Sequence, residues 1–298
     1  MEITGVNISA LGVSLKANFQ KGMSSVAPMW DKVATLVPST SAANDYAWLN
    51  KWPRLREWIG ERRLTELSGE SYTLKNKKFE STVEVERDNV EDDDIGIYGS
   101  LAQAEGVAAA QWPDQLVFGI LPKGFESLCY DGQNFFDTDH PVTDPDTGEE
   151  TSYANMQAGG GAAWYLLDTS KPLKPFIFQE RTKPEFANHT DPLKSDRVFM
   201  LDKFLYGTRA RGNAGYGFYE MAFGSKADLT EANFDLAYDA MRGQKDDEGT
   251  PLGVKPTILV VPTSLRKKAD EVVKRARKAN GEDNTNQNLV EVLVCEWL

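Results

Sequence analysis

The sequence predicts an α+β fold, and three features of the chain indicate it. Apolar residues recur every four positions near the N-terminus and again after the acidic run at 91–94, which is the spacing of one helical face. Between 162 and 228 the chain is rich in aromatic and β-branched residues, which favours strands. After residue 229 helical and strand patterns alternate, as in a small α/β layer.

Size and charge limit the classes of function. With 298 residues and 41% hydrophobic content, the chain can bury one large core or two moderate ones. A formal net charge of −12 argues against tight binding of nucleic acid, because phosphate contacts need a clustered positive surface. Two cysteines, Cys129 and Cys295, are too few for a disulfide framework and favour a reducing compartment. No apolar run is long enough for a membrane span and no signal peptide is evident, so we expect a soluble protein made in the cytoplasm.

Residues 1–45 are predicted to form an N-terminal arm. Its helix carries an apolar stripe from Leu11 to Met23, and beyond Pro28 the chain becomes extended and linker-like. The stripe has little local partner in the sequence. We therefore expect another copy of the chain to cover it.

A β-hairpin is predicted at the end of residues 46–84, because apolar and polar residues alternate from Tyr72 to Val85 around a turn near Asn76-Lys77. A two-stranded ribbon is marginal alone in water, so its apolar face should lie on a neighbouring subunit. Arginines before it cluster around Trp58, and arginine is favoured at interfaces. The predicted inter-subunit contacts are Leu11, Leu15, Phe19, Arg54, Trp58, Arg62, Arg63, Tyr72, Leu74 and Phe79.

A long helix is predicted to begin after the acidic run at 91–94, since acidic side chains favour a helix N-terminus. Pro113 should kink or end it. Its packed face is expected to contain Ile97, Leu101, Ala104, Ala108 and Trp112.

The last seventy residues predict helix, strand, helix and strand in succession. Thr230 should cap a helix that stops at Gly243, with Leu229 and Phe234 forming a hydrophobic staple. The run ILVVP is typical of a buried strand, and Thr263 should cap a second helix that reaches about Ala279. An alternating strand closes the chain.

Motifs of common enzymes are missing from the sequence: there is no GxxxxGK[ST], GxGxxG, GxSxG or HExxH, and only two histidines. The basic stretch RKKADEVVKRARK could touch DNA or an acidic neighbour, but acidic and apolar residues interrupt it and favour a solvated helix face.

One polar loop could in principle bind a hard cation, although turns use the same residue types and a turn-rich surface loop is favoured. Its candidate ligands are Asp137, Asp139, His140, Asp144 and Asp146.

Several segments together resemble the Mu-like phage major head subunit family, gene product T, which has the Hong Kong 97-type capsid fold. They include REWIGERR, YTLKNKKFESTVEVERDNVEDDDIGIY, DGQNFFDTDHP, KPFIFQER, LYGTRARGNAGYGF and LTEANFDLAYDAMRGQKDDEGTPLGVKPTILVVP. The resemblance implies an arm at 1–45, an extended loop and its approach at 46–84, a peripheral domain with a spine helix and β-sheet at 85–125 and 162–228, and an axial domain at 126–161 and 229–298. The order of the β-block and the helix–strand–helix segment differs from many relatives.

The resemblance implies a structural protein of the virion capsid that is not an enzyme and needs no cofactor or metal. Copies would form pentamers and hexamers of an icosahedral shell, with separate scaffolding and portal proteins and, in some phages, a cement protein. The shell would enclose double-stranded DNA without sequence-specific binding, and assembly would take place in the bacterial cytoplasm. An encapsulin-like compartment is the alternative. A carbohydrate-active enzyme is more distant, since it would need a cleft with paired acids of perturbed pKa.

Overall fold

A computed structural model describes residues 5–46, 72–86, 88–89, 97–143, 150–189, 200–201, 203–245, 249–278 and 280–298. Among them, helices alternate with strands in a mixed α+β arrangement. The helices are α1 Gly5–Ser24, α2 Ile97–Ile120, α3 Glu231–Arg242 and the short α4 Arg266–Ala269. The strands are β1 Ala34–Pro38, β2 Ala43–Asp45, β3 Thr73–Lys75, β4 Lys77–Glu86, β5 His140–Thr143, β6 Glu150–Tyr153, β7 Met156–Gln157, β8 Trp164–Leu167, β9 Phe176–His189, β10 Lys203–Tyr216, β11 Ala222–Ser225, β12 Ile258–Pro262 and β13 Glu291–Cys295.

A four-stranded sheet in the order β1-β9-β10-β4 forms one layer. β9 and β10 are 14 residues each and pair antiparallel, while β4 pairs antiparallel with β10 over its whole length. Alternate side chains of β10, among them Phe204, Tyr206 and Ala210, are buried, and the intervening ones are more exposed. α1 and α2 therefore cover one face of this sheet, as the contacts of α2 with β9 and β10 and of α1 with β9 indicate.

The predicted hairpin is wrong, although its alternating pattern is real. β3 pairs with β2 and β4 pairs with β10, so β3 and β4 do not pair with each other. Asn76 alone separates them, and the shortest common hairpin loop has two residues. The Asn76 amide instead donates to Ser39 Oγ at 2.8 Å and accepts from Gln179 Nε2 at 2.8 Å, which holds the chain where it passes from one sheet to the next.

The long helix α2 has its packed face on a side that the sequence did not predict. It runs through Pro113 without ending there, and it buries small residues, Ala102 and Gly106, together with Val117 and Phe118. Of the residues expected to pack, Trp112 is buried, but Ile97 and Leu101 remain 52% and 48% exposed. Ala104 and Ala108 are exposed as well.

The packed face of α2 differs from the predicted face because α1 approaches α2 closely. A Cβ at Gly22 of α1 would lie 2.0 Å from the Gln103 carbonyl oxygen, and a Cβ at Gly106 would lie 2.1 Å from the Phe19 carbonyl oxygen. Close backbone contact requires the small residues near the start of α2 to face α1, which turns Ile97 and Leu101 outward. No helix in the described part of the chain is long and apolar enough to cross a membrane.

A five-stranded sheet in the order β13-β12-β8-β11-β7 separates two hydrophobic cores. Tyr165 and Leu167 of β8 face the larger core, which continues under the four-stranded sheet, whereas Trp164 and Leu166 face the smaller core beneath α3. β12 is buried throughout, as its continuous apolar sequence predicted. The aromatic block at 162–228 is therefore divided, because β8 and β11 belong to this sheet and β9 and β10 to the other.

The caps of α3 match the prediction. Thr230 Oγ1 accepts from the Asn233 backbone N–H at 3.2 Å, Leu229 and Phe234 are buried together, and the helix ends before Gly243.

The second helix is shorter than predicted. It begins with a 3-10 turn at Thr263–Leu265, continues as α4 and ends in a π-helical turn at Asp270–Lys274, well before Ala279. The Asn284 side-chain amide donates to the carbonyls of Val272 and Arg275 at 3.0 and 2.9 Å. These bonds satisfy carbonyls that another helical turn would have used.

Candidate inter-subunit surfaces

The apolar stripe of α1 is covered by the chain itself. Leu15 is 4% exposed and clusters with Val85, Ala102 and Tyr206, while Phe19 is 2% exposed. The Phe19 ring lies 5.2 Å from that of Phe186. Our expectation that Leu15 and Phe19 need a neighbouring subunit to bury them is therefore wrong.

Tyr72, Leu74 and Phe79 also have partners within the chain. The Tyr72 hydroxyl accepts from the Tyr216 backbone N–H at 3.1 Å, and Leu74 is 6% exposed in the main core. The Phe79 ring lies 5.2 Å from that of Trp112 in an edge-on contact. These three side chains, like those of α1, therefore do not require a neighbouring subunit to cover them, contrary to our expectation.

The remaining predicted contacts are not described by the structure. Arg54, Trp58, Arg62 and Arg63 lie outside the described residues, and so does the side chain of Leu11 within α1. Their contact with a neighbouring subunit stays a prediction.

Other apolar side chains are exposed on the same two helices. Val13 of α1 is 67% exposed, and Ile97 and Leu101 share one side of α2, one turn apart, about half exposed. The exposure of Ile97 and Leu101 was not predicted, because the hydrophobic pattern placed both residues in the packed face of the helix. β4 is an edge strand of the four-stranded sheet, and Lys77 and Lys78 at its start are exposed.

The loop proposed as a cation site is held by its own hydrogen bonds. The Asp137 carboxylate accepts from the backbone N–H groups of Asn134 and Thr138 at 3.1 and 2.8 Å, and Asp139 is exposed. Asp144 and Asp146 lie outside the described residues. The favoured interpretation as a turn-rich loop fits Asp137, whereas His140 is fully buried and lies against Cys129 and Asp131.

The surroundings of His140 shift several pKa values. Burial raises the pKa of the Cys129 thiol, and its hydrogen bond to Asp131 raises it further. Burial alone would raise the pKa of Asp131, but hydrogen bonds from His140 and Cys129 outweigh it and hold this pKa below its usual value. The contact of His140 with Cys129 and Asp131 was not predicted from the sequence.

Burial raises the pKa of several carboxyl groups, and two of these groups hydrogen-bond to a hydroxyl. The pKa of Glu220 is raised to about 7, and the pKa of Glu105 is raised as well. Glu220 Oε2 accepts from the Tyr130 hydroxyl at 2.9 Å, and Glu105 Oε1 accepts from the Thr208 hydroxyl at 2.9 Å. Each acid has a hydroxyl partner in its own cluster, so neither gives support to the paired acids that a glycosidase would need.

Comparison with known proteins gives relatives over the whole chain. The major capsid protein of Escherichia phage Mu is 40% identical over 306 residues, which cover 100% of both proteins. The Mu-like prophage FluMu major head subunit of Haemophilus influenzae is 43% identical over 278 residues, covering 91% of this chain and 90% of that protein.

Solved phage capsids share the fold. A chain from the procapsid of bacteriophage JBD30 has a TM-score of 0.87 and 50% identity, covering 99% of this chain and 100% of that chain. A chain from the JBD30 capsid has a TM-score of 0.78 and 39% identity, covering 100% and 99%. These similarities confirm the predicted capsid fold of the Hong Kong 97 type. Since residues 8–298 also match the profile of the Mu-like prophage major head subunit gpT, the chain belongs to that family of phage shell proteins.

Proposed function

We propose that copies of this chain assemble as pentamers and hexamers into an icosahedral shell that encloses double-stranded DNA. The observation that carries the proposal is the end-to-end similarity to chains of both the JBD30 procapsid and the JBD30 capsid. Relatives named as phage capsid or head subunits favour a phage shell over an encapsulin-like compartment. The net charge of −12 is compatible with a capsid shell that encloses DNA without binding it tightly.

The proposal includes partners that assemble with the shell in the host cytoplasm. A separate scaffolding protein and a portal would guide assembly. One solved JBD30 capsid, with a TM-score of 0.77 and 39% identity over 92% of each chain, is decorated with minor capsid protein trimers. We infer that this shell takes a comparable outer protein.

Exposed apolar side chains on α1 and α2 are the proposed contacts between copies. Val13, Ile97 and Leu101 are exposed in the single chain, and a shell subunit is surrounded by copies that can cover them. Each contact is modest, but a subunit makes many at once, and their joint effect gives a durable shell. Leu11 and the arginines around Trp58 remain proposed contacts.

Electron microscopy of the full chain expressed with its scaffolding protein tests the shell directly. We expect closed particles of uniform size. A chain that stays monomeric under all assembly conditions would contradict the proposal.

A substitution on α2 tests the contact surface. Leu101→Asp should lower the free energy of unfolding of the single subunit by only about 1 kcal/mol or less, because about half of the side chain is exposed. It should reduce the yield of shells, because it places a charge in the proposed contact. Gln115→Asp is the matched control, since it adds the same charge at an exposed position of the same helix. Equal shell yields for the two variants would exclude Leu101 from the contact.

A further inference from the structure

Three side chains of different chemistry meet where the loop that follows α2 packs against the start of β5. A ligand atom from each of Cys129, Asp131 and His140 lies within 4.8 Å of the others. Asp131 joins them: its Oδ1 accepts from Cys129 Sγ at 2.9 Å, and its Oδ2 lies 2.5 Å from His140 Nδ1. The His140 side chain is 0% exposed and that of Asp131 is 10% exposed, so the cluster is buried with one edge near solvent.

The backbone holds Cys129 and Asp131 in a tight turn. The Cys129 N–H donates to the Gln133 carbonyl at 2.8 Å, and the Gln133 N–H donates to Asp131 Oδ1 at 3.0 Å. Gly132 has a φ of 83°, which a side chain would disfavour, and it lets the chain reverse directly after Asp131. Two of the three groups are therefore fixed on one rigid loop before any ligand binds.

The orientation of His140 is set by its other ring nitrogen. Nε2 lies 3.2 Å from Asn155 Oδ1, while Asn155 Nδ2 donates to the Phe135 carbonyl at 2.8 Å. The amide oxygen must therefore face the ring, so Nε2 carries a proton and donates it. Tyr219 stacks on the ring at 3.8 Å and 5° and keeps its plane fixed. An imidazole held in this way aims Nδ1 at Asp131, as a metal-binding histidine is held by its outer partner.

We propose that Cys129, Asp131 and His140 bind a divalent transition metal ion, with Zn²⁺ as the favoured ion. Thiolate and imidazole donors select Zn²⁺ over Mg²⁺ and Ca²⁺, which prefer oxygen ligands. This site goes beyond the shell-building role, and it replaces our expectation that the chain binds no metal.

The charges of the three ligands suit a divalent ion in a buried site. A metal is bound by the thiolate form of a cysteine, by a carboxylate and by a neutral imidazole. Two negative charges from Cys129 and Asp131 would therefore balance the two positive charges of the ion, which avoids the cost of burying a net charge.

The geometry needs only small shifts. Tetrahedral Zn²⁺ with ligands at about 2.0–2.3 Å places donor atoms roughly 3.5 Å apart. The present separations of 2.9 and 2.5 Å must therefore open by about 1 Å or less around a fixed turn. Three protein ligands leave one position for water, on the side where Asp131 approaches solvent.

Cobalt titration tests the site in the full chain. Protein freed of metal with a chelator is titrated with Co²⁺, whose bond to a thiolate gives a charge-transfer absorption band. We expect one Co²⁺ per subunit with that band, displacement of Co²⁺ by Zn²⁺, and a higher midpoint of thermal unfolding in Zn²⁺. Cys129→Ser should abolish the band. Cys295→Ser is the matched control, because Cys295 is also a buried free cysteine but belongs to no group of metal ligands among the described residues.

Two results would overturn the proposal. One is a wild-type chain that shows no thiolate–cobalt band and retains no Zn²⁺ after dialysis, and this result needs no variant that might misfold. The other is a Cys129→Ser chain, folded by circular dichroism, that binds as much metal as Cys295→Ser. Asp131→Asn, which keeps the shape of the side chain, should weaken Co²⁺ binding at least tenfold, and unchanged affinity would remove Asp131 from the site.

Discussion

Replacing Gly106 by alanine tests the close packing of α1 on α2. In an isolated helix this change would stabilise by about 1 kcal/mol, because glycine is a poor helix former. In this protein the new Cβ would lie 2.1 Å from the Phe19 carbonyl oxygen and 3.0 Å from the Met23 nitrogen. Both are backbone atoms, so the helices must separate by about 1 Å to reach ordinary contact, and overpacking of this kind costs roughly 1–3 kcal/mol. The strain should exceed the gain in helix propensity.

Gly119→Ala is the control, because nothing lies within 4 Å of a Cβ at Gly119 in the same helix. Urea unfolding of the single subunit, followed by circular dichroism, measures both variants. We expect Gly106→Ala to lower the free energy of unfolding by up to about 2 kcal/mol and Gly119→Ala to raise it by up to about 1 kcal/mol. Equal stabilisation by the two substitutions would show that the helices do not depend on this contact.

Three further predictions concern buried groups. Phe19→Ala should cost the single subunit about 3–5 kcal/mol, because Phe19 is 2% exposed, and a negligible loss would restore the idea that a neighbour covers it. Asp114 Oδ1 accepts from the backbone N–H groups of Met29 and Trp30 at 2.9 and 2.7 Å. Asp114→Ala should therefore lower the free energy of unfolding by several kcal/mol, about 1–3 kcal/mol for each N–H left without its acceptor. Asp114→Asn keeps that oxygen and should cost less in the same urea titration. Burial raises the pKa of Glu220 from 4.5 to about 7, so the folded state holds more protons than the unfolded state between these values, and stability falls as pH rises across this window. Glu220→Gln should remove the fall in the free energy of unfolding that Glu220 causes between pH 4.5 and 7. If the free energy of unfolding changes with pH in the same way in both proteins over this range, the prediction is wrong.

Elements with local signals were predictable from the sequence. The Thr230 cap and the staple of Leu229 with Phe234 depend on residues within one turn of each other, and the structure confirms them. The continuous apolar run of β12 likewise predicted a strand with both faces covered, and it is buried throughout.

Elements whose partners lie far along the chain were not predictable in the same way. Periodicity identified the apolar side of α1, but not that Phe186, more than 160 positions later, would cover it. On α2 the hydrophobic pattern pointed to the wrong face, because contact through Gly106 buries the small residues instead. The cluster of Cys129, Asp131 and His140 was missed because a turn and a separate strand bring the three together.

The long pair of β9 and β10 has a mechanical consequence for a subunit within a shell. Fourteen extended residues span about 46 Å, and the base of the pair near Phe176 and Tyr216 lies in the main core. A rotation of about 10° at that base would carry the far end roughly 8 Å if the sheet and the helices packed on it move as one body. A small change in packing near Phe176 and Tyr216 would thereby produce a large displacement at the far end of the pair, near His189 and Lys203.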